Sequence, residues 1–255
     1  MTLWMLRLPL DPSALARYAA ERGWMHRRGH DEGRALHHLL TETFGKTADA
    51  VPKSAFQPFR LLPGRKGGSL YGYSTVAPEA LRDMAQAIAP PEALALLPLS
   101  GLQAKPMPQV WRAGQVLGFD LRVRPVVRLN SAIPPDADPR GRGFRKGAEI
   151  DAHVAAQARS AAPVLRDQVY LDWLAARLSP AADLIRETTL LHRFQRSQTL
   201  RQSLSEGPDA VFHGTLRITD PDGFALLLSR GVGRHCAYGF GMLLLRAPQS
   251  PPLGG

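Results

Sequence analysis

Cysteine is almost missing: the 255-residue chain has one, Cys236. A lone thiol excludes an internal disulfide framework and cannot build a thiolate metal cage. Long apolar runs are missing too. Nothing approaches the roughly 18 residues of a membrane span, and Arg230 and Arg246 bracket the most hydrophobic stretch. The opening MTLWMLRLPLDPS has neither a basic n-region nor a small-residue cleavage site, so no signal peptide and a cytoplasmic location are expected. There is no Gly-x-Ser-x-Gly elbow and no Gly-Lys-Ser/Thr phosphate loop, which removes serine-hydrolase and P-loop chemistry. Lysine is scarce, at 5 residues against 27 arginines.

What is present is positive charge carried by arginine: 32 basic against 22 acidic residues, a net +10. A planar guanidinium matches phosphate oxygens and base edges and stacks on bases, so the balance favours a nucleic-acid partner. A GC-rich genome would enrich Arg, Ala, Gly and Pro together and is the bland alternative. At 44% hydrophobic residues the chain can bury one large core or two small ones.

Along the chain, residues 2–9 read as a strand, and Asp11-Pro12-Ser13 starts a helix with Leu15, Tyr18 and Ala19 inward. WMHRRGHDEG is a charged loop. In RALHHLLTETFG, Leu36, Leu39, Leu40 and Phe44 fall at helical spacing before Gly45. FQPFRLLP and SLYGYSTV flank a hairpin-like GRKGG turn. APEALRDMAQAIAPPEA is a helix ended by Pro90-Pro91, and LALLPLSGLQAKPMP is extended. Strand–helix–strand–strand–helix–strand is the order of a ferredoxin-like unit. A second copy follows: a long strand from Leu117 to Val127 and a helix over 164–178 with Val164, Tyr170, Leu171, Trp173 and Leu174 inward. Then come two strands turning at Glu206-Gly207, a helix in DPDGFALLLSRG, and a last strand in FGMLLLRAP. The expected fold class is therefore α+β, two tandem ferredoxin-like βαββαβ domains, residues 1–108 and 109–248, with a loose tail at 249–255.

The densest motif is GVGRHCAYGFG, with Gly231, Gly233, Gly239 and Gly241 in eleven residues. Such glycines let a backbone approach a ligand and turn its N–H groups to phosphate, or simply allow a tight connection with positive φ; spacing alone leaves both open. Arg234 and His235 sit inside it. Three basic stretches offer an RNA track or a solvated face. Arg140, Arg142, Arg145 and Lys146 surround Phe144, Arg193, Arg196 and Arg201 interleave with Phe194 and Gln195, and Arg65 and Lys66 cap the first hairpin. Arg27, Arg28 and His30 suit phosphate contacts. His26 and His30 are spaced for a metal, but Gly29 and Gly33 argue against a helix there, so no metal and no cofactor are expected. His192 and His213 read as ordinary strand residues, and the four tryptophans as core.

GVGRHCAYGFGMLLLR resembles the glycine-rich run near the C-terminus of the CasE family, the repeat-cleaving CRISPR endoribonucleases of type I-E Cascade, or of their type IV counterparts. The first strand, the Leu36-His37-His38-Leu39-Leu40 helix and KPMPQVWRAGQVLGFDLRVRPVVR are similar to that family as well. The resemblance implies metal-independent cleavage at the 3′ base of a repeat stem-loop. In it a 2′-hydroxyl attacks the adjacent phosphate to leave a 2′,3′-cyclic phosphate, and the guide RNA stays bound within a Cascade-like complex. It assigns the proton-transfer role to His37. Arg34 stands where the family frequently has tyrosine and is expected to face the scissile phosphate with His37; His38, about 100° round the helix, is the alternative catalyst. An unperturbed pKa near 6.5 suits histidine to that work. The rival readings are a non-catalytic RNA-hairpin-binding subunit and a basic DNA-binding module.

Overall fold

The computed structural model describes residues 2–26, 29–47, 54–64, 67–138, 141–200 and 204–248. Strand β1 (Trp4–Leu10) leads into helix α1 (Pro12–Glu21), where the Asp11 carboxylate accepts from the Ser13 amide at 2.9 Å and Pro12 opens the first turn. A short hairpin, β2 (Met25–His26) and β3 (Gly29–His30), replaces part of the expected charged loop. Helix α2 (Glu32–Phe44) is capped by Asp31, whose side chain accepts from the Arg34 amide at 2.9 Å, and stops at Gly45 with φ +65°. Its buried stripe is Ala35, Leu36, Leu39, Leu40 and Phe44, which leaves His37 and His38 on the outer side.

The unit continues with β4 (Phe59–Gly64), β5 (Gly67–Ser74), α3 (Pro78–Ile88), α4 (Pro91–Leu96) and β6 (Gln103–Pro106). Here the sequence reading is corrected. Helix α3 stops at Ile88 before Pro90-Pro91, as expected, but Pro91 also opens α4, because proline fits a first helical turn that has no use for its missing N–H. The segment expected to be extended is helical to Leu96 and again at Leu99–Gly101, so only β6 is strand. The sheet order is β4-β5-β1-β6.

The second unit runs β7 (Val116–Val123), β8 (Val126–Arg128), β9 (Glu149–Asp151), α5 (Ala152–Gln157), α6 (Arg166–Leu178), β10 (Ala182–Leu200), β11 (Leu204–Ile218), α7 (Pro221–Arg230) and β12 (Leu243–Arg246). Its sheet order, β10-β11-β7-β12, repeats that of the first, so both sheets are four-stranded, antiparallel and ferredoxin-like. The long strand expected from Leu117 to Val127 breaks at Arg124-Pro125. Proline cannot donate to a ladder, and β8 leaves to pair with β9. The turn expected at Glu206-Gly207 is instead ladder: Glu206 pairs with Gln198 and Gly207 with Ser197. Gly207 is glycine because the Arg124 guanidinium lies less than 3 Å from where its Cβ would be. Within α6, Tyr170, Trp173 and Leu174 are buried as expected and Leu171 is only half-buried, while Val164, expected in the helix, precedes its first residue Arg166.

The first unit has its own core, from Leu6, Leu8, Leu15, Leu36, Phe56 and Phe59 among others. The second core joins Phe119, Leu121, Tyr170, Phe212 and Phe224 to Tyr73 of β5. Tyr73 also donates its hydroxyl to the Leu243 carbonyl at 2.9 Å, tying β5 to β12. No helix among the described residues is long and apolar enough to cross a membrane.

Candidate functional site

A pocket of about 250 Å³ opens where the start of α2 meets β7, β10 and the glycine-rich loop; Glu32, Gly33, Arg122, Gln195, Ser197 and Tyr238 are among its walls. The loop is pulled onto α2 by close backbone packing. A Cβ on Gly33 would lie 2.7 Å from the Tyr238 carbonyl oxygen, so only glycine admits this approach. All four loop glycines have positive φ, and so does His235 at +67°, an uncommon conformation for a residue with a side chain. His235 is held there by Glu149, whose Oε1 lies 2.6 Å from its Nε2, and Arg234 reaches the same carboxylate at 2.7 Å. The His235 hydrogen bond, with the Arg234 charge behind it, holds the Glu149 pKa below the usual carboxylate value despite partial burial.

The expectation that loop amides face phosphate is corrected at two positions. The Gly231 N–H donates to Leu227 O at 2.8 Å and the Gly241 N–H to Arg122 O at 2.7 Å. At Gly241 a Cβ would strike Cys236 Sγ and Val232 O at 2.6 Å, so chain packing accounts for that glycine. Gly233 packs against Trp173 and Gly239 near Phe59.

The two helix histidines face different surroundings. The half-buried His37 ring lies 5.1 Å from the Tyr238 ring at a 36° tilt. His38 lies 4.6 Å from Trp24, and the Arg34 guanidinium covers the same indole at 5.0 Å. Burial, and then the Arg34 charge, lowers the His38 pKa and favours its neutral form. Arg34 was expected to share a face with His37; its guanidinium instead turns to Trp24 and His38, since the four-residue spacing aligns as well as three on a helix. Trp24, expected in the core, is half-buried and forms this platform.

Of the expected RNA contacts, Arg27, Arg28, Arg140 and Arg201, with Arg65 and Lys66, lie outside the described residues. Arg193, Arg145 and Lys146 are exposed. Arg142 is tied to Asp138 at 2.7 Å beside Phe144, and Arg196 to Glu206 at 3.0 Å and Asp151 at 3.5 Å. Asp31, next to His30, caps α2.

An ionic network on β7 escaped the sequence reading. Asp209 is fully buried and takes Arg122 at both oxygens, 2.9 and 2.8 Å, with Gln195 Nε2 at 2.9 Å. Burial alone would raise its pKa; the Arg122 hydrogen bonds and charge outweigh that and hold it low. Arg122 reaches Glu32 at 3.3 Å and so links the second sheet to α2. Asp120 binds Arg60 of β4 and Arg246 of β12, and His213 at 3.2 Å, while His213 stacks on His192 at 4.1 Å. The signal was in the β7 alternation, which sets Asp120 and Arg122 opposite Phe119 and Leu121.

A family model, CRISPR associated protein, matches residues 3–247. No curated protein matches the chain. Among solved structures it is similar to Thermus thermophilus Cse3 bound to an RNA representing a pre-cleavage complex, at 18% identity and a TM-score of 0.58 over 96% of this chain and 100% of that one. It is similar to Cas6e from Escherichia coli str. K-12, at 16% identity and a TM-score of 0.51 over 97% and 100%. A chain of a CRISPR RNA-guided surveillance complex matches at 17% identity and a TM-score of 0.52 over 96% and 99%. At these identities the likeness speaks for the fold.

Proposed function

The chain belongs to the CRISPR associated protein family, and on that premise we propose that it is an endoribonuclease that binds a CRISPR repeat stem-loop and cuts precursor RNA at the 3′ base of the hairpin. The observation that carries this reading is the meeting of α2 with the glycine-rich loop. It sets the half-buried His37 against Tyr238, which lines a cleft walled from both units. In this reading residues 1–108 carry the catalytic helix, and residues 109–248 carry the hairpin and the loop. The chain acts with other subunits of a Cascade-like complex, as the likeness to the surveillance complex chain supports.

The chemistry needs no group beyond the RNA and the protein. The ribose 2′-oxygen loses its proton and bonds to the adjacent phosphorus. The bond from phosphorus to the 5′-oxygen breaks, and that oxygen takes a proton, leaving a 2′,3′-cyclic phosphate and a 5′-hydroxyl. His37 is the proton carrier, a role that in general acid–base catalysis contributes about 10²- to 10⁴-fold. His38, kept neutral against Trp24 and on another face of the helix, is the second candidate. Arg193, Arg145, Lys146 and the half-exposed Arg234 supply phosphate contacts, so affinity falls as salt rises.

The test is His37→Ala. Repeat cleavage should drop by about 10²- to 10⁴-fold while hairpin affinity stays within about twofold, and chelators should leave wild-type cleavage unchanged. A 2′-deoxy nucleotide at the cut should block the reaction without blocking binding. Undiminished cleavage by the variant moves the chemistry to His38. A wild-type protein that binds the repeat and never cuts it is the non-catalytic hairpin-binding subunit instead.

A further inference from the structure

The pocket beside His37 has the wrong charge for a phosphate. Asp31 and Glu32 line it. Of its two arginines, Arg122 is locked to Asp209 and Glu32, and Arg196 to Glu206 and Asp151. An anion entering here would meet two carboxylates and cations already neutralised. The N–H groups on a base edge would meet hydrogen-bond acceptors.

One acceptor is aimed by the protein itself. An ionised carboxylate only accepts, so the Gln195 amide must present its Nε2 to Asp209, which it does at 2.9 Å. That orientation leaves the Gln195 carbonyl oxygen for a ligand. Glu32, its side chain partly exposed at 40%, adds a carboxylate to the same lining. Tyr238 presents a partly exposed ring, and Phe240 lines the same pocket with the Arg122 guanidinium over its ring at 4.6 Å. At about 250 Å³ the space lies below the ~300–1,000 Å³ of drug-sized sites and suits one planar ring system. Single-stranded RNA is recognised by splaying a base onto an aromatic or guanidinium plane and bonding its edge.

We propose that this pocket takes one unpaired nucleobase, donor edge toward Gln195 and Glu32, from a nucleotide flanking the cut. The Tyr238 ring then stands between the seated base and His37, so that docking the base brings the neighbouring phosphate to the imidazole. The proposal rests on the RNA-processing reading above and adds to it a sequence-reading position outside the stem.

The experiment uses the full-length protein and a repeat hairpin RNA with abasic nucleotides placed one at a time at the unpaired positions flanking the stem. Both affinity and cleavage rate are read, and thermal unfolding checks each variant. One abasic position should weaken binding or slow cleavage about 10- to 100-fold, the usual worth of a stacked base. Gln195→Ala and Glu32→Gln should weaken intact RNA and cost nothing further on that abasic RNA. If every abasic RNA behaves like intact RNA within about twofold, or if the variants weaken all the RNAs equally, the pocket does not read a base. The affinity arm tests the pocket even where cleavage is absent, whereas failure of the unmodified hairpin to be cut at all counts only against the endoribonuclease reading.

Discussion

In the first unit, the sheet face turned away from its own helices carries Leu3, Met5, Leu62, Tyr71 and Tyr73, all packed against the second unit's core. In the second unit, the corresponding face of β7 and its neighbours carries Asp120, Arg122, Asp209, Gln195 and His213. The topology is the same and the balance of apolar and charged residues on the face differs. A helix-free sheet face must be covered or be polar. The first is largely apolar and is covered by the second unit, with Arg60 as its buried charge against Asp120; the second is polar, and its Arg122 and Gln195 line the cleft. Duplicating one βαββαβ plan thus yields a structural face and a working face, according to whether the alternate residues of its strands are apolar or charged.

The contrast can be broken most severely at Asp209. Asp209→Ala leaves Arg122 desolvated without its bidentate partner, and removing one member of a buried pair costs roughly 3–5 kcal/mol. Chemical denaturation should show that loss; a change below about 1 kcal/mol would mean that the network is weakly coupled to folding. On the apolar side, Tyr73→Phe removes one hydrogen bond and leaves the Leu243 carbonyl buried, an expected cost of about 1–3 kcal/mol. Its RNA affinity should be unchanged, because the lesion lies at the joint and not in the cleft.

The smallest effect is a pH dependence that the polar face should show. Burial lowers the His213 pKa from 6.5, which the Asp120 charge only partly opposes. A histidine whose folded pKa is depressed takes up fewer protons than the unfolded chain, so it costs nothing above pH 6.5 and destabilises progressively below it. His38 acts in the same direction, with burial and Arg34 as its causes. His213→Gln should flatten the fall in melting temperature below pH 6.5; a variant with the unaltered slope would show that another group governs it.

Much of this was legible in the chain. Leucine spacing marked α2 and left His37 and His38 outside its buried stripe. Asp11-Pro12 and Gly45 marked helix ends, and four glycines marked the loop that closes the site. The errors have local causes. The proline pair that ends α3 also opens α4, a second use that a stop signal hides. Pro125 was passed over inside a convincing alternation. Gly207 was read as a turn when it makes room for Arg124, an arginine 83 positions earlier in the chain. Tyr238 was passed over because a tyrosine in a glycine-rich loop has no periodic signature.

The sequence alone determined the alternation of apolar and polar residues along each element, and with it which side of each helix and strand is buried, since those choices follow from backbone periods of 3.6 and 2 residues. Only the tertiary structure decided which charge meets which: Tyr238 against His37, Arg122 between Asp209 and Glu32, Gln195 turned by Asp209. Such partners are brought together by chain closure over scores of residues, and their geometry depends on where whole elements dock, which no local pattern encodes.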